Sequence, residues 1–345
     1  MRDSTLSRRV LLPAAALLSA WPSEILQAAE PPPRPFLITG ASGGIGRASA
    51  RALSGSARFV LCGARTAAAA QEVAAAQGAG SLGGYGLALN ADLEQSDLQS
   101  VKTYVGQLSR DLPGGVEGAL LCAGVEGLPL RRTPQGVEST FGINTLSHFV
   151  IAVELAARAV QERRALRLVS VTSSAAFDSR LGSGDALDLS WERRPYDARQ
   201  AYVDSKACNI LLADELQRRL SSTPVLACSV DPGPTASMLV RYTLPQRAAQ
   251  RVGMSEEQLA RQARTLGLRT PAQAARGVVW CLTSPTCAPG ALYLGAASPP
   301  DASPPLPTWE QPLPWRNDAL AAAVWQECAA MSKDWLSPMA RRFVA

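Results

Sequence analysis

An apolar run, Phe36-Leu37-Ile38, ends in the glycine-rich turn Thr39-Gly40-Ala41-Ser42-Gly43-Gly44-Ile45-Gly46, and a helical pattern starts directly behind it. No other feature restricts the possible folds so strongly. A glycine turn between a strand and a helix lets backbone approach phosphate oxygens, and the helix N-terminus offers them free N–H groups. Gly40 permits the tight turn, Gly44 lets the backbone come close to a pyrophosphate, and Gly46 allows close helix packing. Ser42 and Ile45 stand inside the turn, and Arg47 follows it. The spacing is Gly-x-x-x-Gly-x-Gly. Taken alone, an ordinary glycine-rich loop would explain it, so the rest of the chain has to decide.

Short apolar runs recur at 59–62, 87–89, 118–122, 168–172, 225–230 and 292–294, with helical patterns at 97–110, 141–163 and 202–220 between them. This alternation predicts an α/β fold: a Rossmann-like, doubly wound, parallel seven-stranded sheet with right-handed crossovers, in one domain over 36–297. Residues 236–269 carry no strand signal. They hold a helical pattern at 255–265 and are expected to lie over a substrate cleft. Residues 298–316 are a proline-rich linker. The tail, 317–345, carries a last helix whose apolar positions are Leu320, Val324, Trp325, Cys328, Met331 and Trp335. It is expected to pack on the domain or on a partner.

Residues 1–35 read as a targeting segment and linker rather than as part of the fold. Arg8-Arg9 precede the apolar run 10–20, Ala28-Ala29 offer a small-residue cleavage site, and Pro31-Pro32-Pro33 break the chain. The run is too short for a membrane span. Ser7-Arg8-Arg9-Val10-Leu11-Leu12 is similar to a twin-arginine export signal, and a plastid address fits the same residues. An uncleaved amphipathic helix is the plainer alternative.

The net charge is +5, but the basic residues are scattered. Nucleic-acid binding needs clustered charge with interleaved aromatics, so none is expected. The seven cysteines form no CxxC pair and their number is odd, so neither a disulfide framework nor a zinc site, nor any other metal, is expected. Free thiols point to a reducing compartment. His148 is the only histidine. One histidine nearly excludes histidine-based triads, HExxH zinc sites and His-rich metal centres, and proton chemistry falls to Tyr, Lys, Cys or carboxylates.

Tyr202-Val203-Asp204-Ser205-Lys206 places a tyrosine and a lysine four residues apart at the start of a helix, hence on one face. A neighbouring ammonium favours a phenolate, which would make this tyrosine a workable general acid or base. A surface helical pair is the bland reading. No acidic residue stands at the end of the second strand to bind a ribose diol; Arg65 stands there instead, and with Arg47 it suits a 2′-phosphate. The cofactor expected is therefore NADPH, although either arginine alone reads as a surface charge. Asp92 is expected to face the adenine or simply to cap a loop.

The chain resembles the short-chain dehydrogenase/reductase family over 36–295. The resemblance rests on residues 39–46, Asp92-Leu93, Cys122-Ala123-Gly124, Phe141-Gly142-Ile143-Asn144, Ser173-Ser174, Tyr202 with Lys206, and Asp231-Pro232-Gly233. It implies that Tyr202 is the catalytic acid and that Lys206 lowers its pKa and holds the ribose. It implies that Ser174 orients the substrate or Tyr202, with Ser173 as the alternative register, and that Asn144 links Lys206 to solvent through water or backbone. Leu93, Ala123, Gly124, Pro232 and Gly233 would bind the cofactor, and Ser237 would meet the nicotinamide amide. Cys122 replaces the family's usual Asn before Ala-Gly, so a side-chain contact is lost there.

Within the family, Ala201-Tyr202-Val203-Asp204-Ser205-Lys206-Ala207-Cys208-Asn209 is similar to a segment of the light-dependent protochlorophyllide reductases. Asn144-Thr145-Leu146-Ser147-His148-Phe149 and the tail around Ala323-Val324-Trp325 add to that likeness. It implies light-driven reduction of protochlorophyllide to chlorophyllide, with Cys208 facing the pigment, in a plastid and peripherally on the thylakoid. Cys208 also reads as a small core hydrophobe. Two alternatives stand beside this: a dark NADPH-dependent carbonyl reductase of retinal-like or steroid-like lipids, and a non-catalytic NADP-binding protein. A homo-oligomer is compatible with all three.

Overall fold

The computed structural model describes residues 34–56, 58–77, 86–182, 187–241, 253–295 and 307–345. The targeting segment, apart from Arg34 and Pro35, lies outside them, as do residues 298–306 of the proline-rich linker and 242–252 of the segment 236–269.

Seven strands form one sheet: β1 (Phe36–Thr39), β2 (Val60–Gly63), β3 (Gly86–Leu87), β4 (Gly118–Leu121), β5 (Leu166–Val171), β6 (Val225–Asp231) and β7 (Leu292–Leu294). Every pairing is parallel, and the order is β3-β2-β1-β4-β5-β6-β7. The sheet reverses its winding between β1 and β4. Open parallel sheets bind ligands at that crevice, outside the carboxyl ends of the strands. β3 is shorter than the run 87–89 predicts.

The alternation of each strand assigns the two faces. Phe36, Ile38, Leu120, Cys228 and Val230 point to one side and meet α1 (Gly44–Ser54), α2 (Ala67–Gln77) and α7 (Pro271–Thr283). Leu37, Ala119, Leu121, Leu168 and Ala227 point to the other and meet α3 (Leu98–Asp111), α4 (Ser147–Gln161) and α5 (Ala198–Arg219). Strands covered on both faces are buried and read as continuous apolar runs, as these do. The remaining described helices are α6 (Glu256–Thr265), α8 (Asp318–Ser332) and α9 (Pro338–Val344).

The tail packs on the domain. In α8, Val324, Trp325 and Cys328 are fully buried, and Trp325 meets the Phe149 ring edge-on at 4.9 Å between centroids. Arg316 reaches back to both carboxylate oxygens of Asp214 on α5 at 2.8 Å. The helix α9 was not foreseen. Ser337 caps it and is itself held by the Glu154 carboxylate, and the Trp325 ring N–H donates to the Val344 carbonyl at 3.3 Å.

The single helix predicted over 141–163 is interrupted. A short turn, Ser139–Phe141, leads into a π-helical turn, Gly142–Leu146, and only then does α4 begin. Such single π turns are frequent at functional sites. The stretch Ser139–Gln161 is long and apolar enough to cross a membrane, but 89% of its most apolar window is buried inside the protein, so it serves as a core helix.

Candidate active site

A cleft of about 790 Å³ opens along the carboxyl ends of the strands. Gly40, Ser42, Gly44, Ile45 and Gly46 line one end, with Arg65, Leu93, Ala123 and Gly124 beside them; Ser174, Tyr202, Lys206, Pro232, Gly233 and Ser237 line the other. Most of the residues read from the sequence are thus brought to one place.

Two glycines are required by geometry. Gly40 has φ of +66°, and a Cβ there would lie 2.8 Å from the Ala123 backbone. A Cβ on Gly46 would run into the Gly40 carbonyl oxygen. The turn therefore folds on itself and sits against the end of β4. The N-terminus of α1 opens into the cleft with no side-chain cap and no acidic residue in its first turn. This is a cradle suited to anionic oxygen. The donor set fits a dinucleotide: backbone N–H groups at one end, the Arg65 guanidinium beside them, and a Tyr/Lys pair at the other.

The loop after β4 is held to β1 through its backbone. The backbone N–H groups of Cys122 and Ala123 donate to the Thr39 hydroxyl at 2.9 and 3.1 Å. The Thr39 hydroxyl lies 2.9 Å from His148 Nε2, and His148 Nδ1 lies 3.0 Å from the Asn144 carbonyl. Since that carbonyl can only accept, Nδ1 carries the proton and Nε2 accepts from Thr39. Burial pushes the imidazole pKa down to about 3, so the ring is neutral.

The π-helical turn delivers Asn144. Its side chain pairs with both backbone groups of Val125, accepting at 2.8 Å and donating at 2.9 Å, and also donates to the Ser205 hydroxyl at 3.0 Å. Asn144 therefore clamps the loop after β4 to α5. Its side-chain hydrogen bonds go to Val125 and Ser205, and that of Lys206 goes to Val171. Ser205 in turn donates to the Tyr202 carbonyl at 2.7 Å, and Thr172 donates to the Lys206 carbonyl at 2.7 Å.

Lys206 is buried, and its ammonium donates to the Val171 carbonyl at 2.9 Å. Burial lowers its pKa to about 8 against the opposing influence of Cys122, Glu126 and Asp231. The expectation that Lys206 lowers the Tyr202 pKa is not met. Burial pushes Tyr202 well above its ordinary value, with Glu126 adding to the rise and a hydrogen bond from Ser173 opposing it. The physical reason is position: Nζ is 5.8 Å from the Tyr202 ring centroid and directed at β5. Tyr202 therefore keeps its phenolic proton near neutral pH.

The two serines divide their work. Ser173, the alternative register, hydrogen-bonds Tyr202. Ser174 donates its hydroxyl and its backbone N–H to the buried Asp231 carboxylate, which also accepts from the Gly233 N–H. Ser174 thus ties the loop after β5 to the loop after β6.

Three further residues, Asp92, Arg47 and Cys208, fall away from the cleft, whereas Arg65 stays. Asp92 caps the first turn of α2 through the Ala67 N–H at 2.8 Å and does not line the cleft. Arg47 also lies outside the lining and pairs with Glu72 at 3.9 Å on the surface. Arg65 does line the cleft and pairs with Glu94 at 3.4 Å. Cys208 is fully buried in the core next to Cys328, not at the cleft. Two positions beyond Lys206 is about 200° around a helix, which turns the thiol to the opposite face.

Among the cleft residues that the sequence reading did not single out, Glu126 bears most directly on Tyr202 and Lys206. Glu126, in the loop after β4, lies close enough to Tyr202 and Lys206 to raise both pKa values. Its own pKa is raised by burial and opposed by Arg199 and Lys206. The only signal for it was its position two residues after Ala123-Gly124.

Fold and site together define a Rossmann-like α/β protein whose cleft brings a tyrosine and a lysine of one helix beside a glycine-rich turn. The profile described as short chain dehydrogenase matches residues 35–184. Retinol dehydrogenase 14 of Mus musculus is 33% identical over 214 residues, 60% of this chain and 62% of its own length. A Streptomyces antibioticus protein described as "Probable oxidoreductase" is 32% identical over 214 residues, 61% of this chain and 67% of its own length. An uncharacterized protein from Mycobacterium paratuberculosis shares the fold, with a TM-score of 0.63 and 23% identity over 93% of this chain and 97% of its own. The chain belongs to the short-chain dehydrogenase family. The matched stretch spans just over three-fifths of the retinol dehydrogenase's length.

Proposed function

We propose that the protein is a light-independent, NADPH-dependent reductase of an apolar, retinal-like aldehyde or ketone. The observation that carries this reading is Tyr202: it is buried, protonated, hydrogen-bonded to Ser173 and beside Lys206 in the cleft. When bound, the dinucleotide supplies hydride to the carbonyl carbon. Tyr202 donates its phenolic proton to the carbonyl oxygen, and Ser173 orients the phenol. Val125, Met238, Leu239 and Leu268 give the substrate end of the cleft an apolar wall. The likeness to a retinol dehydrogenase supports the same substrate class.

Light-driven reduction of protochlorophyllide is the second reading, favoured by the Tyr202-to-Asn209 segment. It loses one of its supports because Cys208 faces the core. Targeting by residues 1–35, to a plastid or through twin-arginine export, and peripheral membrane association belong to the proposal as the routes by which an apolar substrate would be met. The test is the purified full chain with NADPH, given all-trans-retinal in the dark or protochlorophyllide in the light. Dark NADPH oxidation with retinol formation is expected. Chlorophyllide formed in the light, with no dark turnover of retinal or a steroid ketone, overturns the first reading. NADPH binding with neither activity makes the protein a non-catalytic binder.

Arg65 carries the preference for the 2′-phosphate. Its side chain is 70% exposed at the adenine end and, among the described residues, pairs with Glu94. Arg65→Ala is expected to raise KM for NADPH about tenfold or more, the worth of a charge-assisted hydrogen bond, and to leave KM for NADH within about twofold. Equal effects on both would remove Arg65 from cofactor selection.

A further inference from the structure

Spacing along the chain conceals a cluster of three thiols. Cys228 lies in β6, Cys281 in the last turns of α7, and Cys287 in the loop that follows. The three sulfurs lie within 4.8 Å of one another, and Cys228 Sγ is 3.6 Å from Cys287 Sγ. None of the three lines the cleft.

We propose that Cys228, Cys281 and Cys287 form a trigonal, all-sulfur site for one monovalent copper ion. The geometry fits. A planar trigonal set with metal–sulfur bonds of about 2.3 Å spaces its sulfurs about 4 Å apart. Small side-chain movements bring the observed spacing to that value. The donor type fits as well, because thiolates select soft cations such as Cu(I). The coordination number separates copper from zinc: zinc takes four ligands, and this group, among the described residues, offers three cysteines with no histidine or carboxylate. Burial closes the site to water, since Cys228 and Cys281 are fully buried and Cys287 is 3% exposed.

The frame around the cluster is rigid. The Arg167 guanidinium donates to the Cys281 carbonyl at 3.2 Å and to the Ser284 carbonyl at 2.7 Å, so it fixes the end of α7 and adds a positive charge near the sulfurs. The Tyr293 hydroxyl accepts from the Ala288 N–H at 2.6 Å and pins the loop just past Cys287. On binding, each S–H releases its proton to solvent as its sulfur ligates. The copper stays monovalent and nothing is oxidised.

The experiment is an anaerobic titration of the reduced full chain with Cu(I) against a chromophoric Cu(I) chelator. One equivalent per chain is expected to leave the chelator, with an ultraviolet thiolate-to-copper absorption. Cys281→Ser and Cys287→Ser should each weaken binding at least tenfold. Cys62→Ser removes a buried thiol outside the cluster and should change nothing. Circular dichroism of each variant checks its folding. The proposal is overturned if the wild type holds no more copper than the triple Cys→Ser variant, or if both single variants bind as the wild type does. It is overturned equally if Zn(II) competes on equal terms, or if Cys228 and Cys287 are found joined as a disulfide.

Discussion

Tyr202→Phe is expected to lower turnover by about 10²- to 10⁴-fold, the usual contribution of a positioned general acid, while NADPH binding changes by less than about twofold. The phenylalanine keeps the ring, its burial and its place on α5. It removes only the phenolic proton and the hydrogen bond with Ser173. The loss should therefore fall on kcat and leave KM for NADPH nearly alone. The checks are steady-state kinetics and a fluorescence titration with NADPH. Turnover within tenfold of wild type would mean that the proton comes from elsewhere, and Glu126 would be the group to examine.

Lys206→Met is expected to give a protein that is more stable and nearly inactive. Burial lowers the Lys206 pKa from 10.5 to about 8. Between those values the unfolded chain binds more protons than the folded one, so this lysine makes stability rise with pH from about 8 to about 10.5. Below about 8 its full penalty is present, on the order of 3 kcal/mol. The hydrogen bond to the Val171 carbonyl offsets part of that, and Asn209 approaches the same carbonyl at 3.5 Å. A net gain of about 1–2 kcal/mol at pH 7 is expected, or several degrees in Tm. Thermal unfolding at pH 7 and pH 10 checks the cause, because the gap between variant and wild type should narrow at the higher pH. A variant less stable than wild type at both pH values would show that the ammonium holds α5 to β5 more than its burial costs.

Much of this site was legible because its signals are local. The turn at 39–46 carries its meaning in its own spacing, and Tyr202 and Lys206 share a face by the helical period alone. The seven strands were readable because each is buried on both sides and so appears as an apolar run between glycine or polar breaks. The helix α7 was not read from the sequence, although Thr270-Pro271 with Gln273 forms a capping box with proline in the first turn, both halves of which the structure shows. What stayed hidden depends on registers and distances that no window contains. Ser173 and Ser174 differ by one residue at a strand end, and only the placement of Asp231 on β6 decides which hydroxyl turns to Tyr202. The π-helical turn has no sequence signature, so the helix read over 141–163 looked continuous. The pKa of Tyr202 could not be read from its neighbour in the motif, because burial outweighs a charge directed at another strand. Cys228 and Cys281 are 53 positions apart, and only the packing of α7 on β6 brings them together.

The bridge from Thr39 through His148 to Asn144 gives the single histidine of the chain an unusual standing. Its imidazole is sealed, neutral and committed at both nitrogens. Nothing that titrates near pH 6 in this protein can be traced to it while the fold is intact. A ring so placed is an internal seal: it becomes reachable only when the joint between β1 and α4 opens, so exposure of that one imidazole reports the opening of the molecule and not its chemistry.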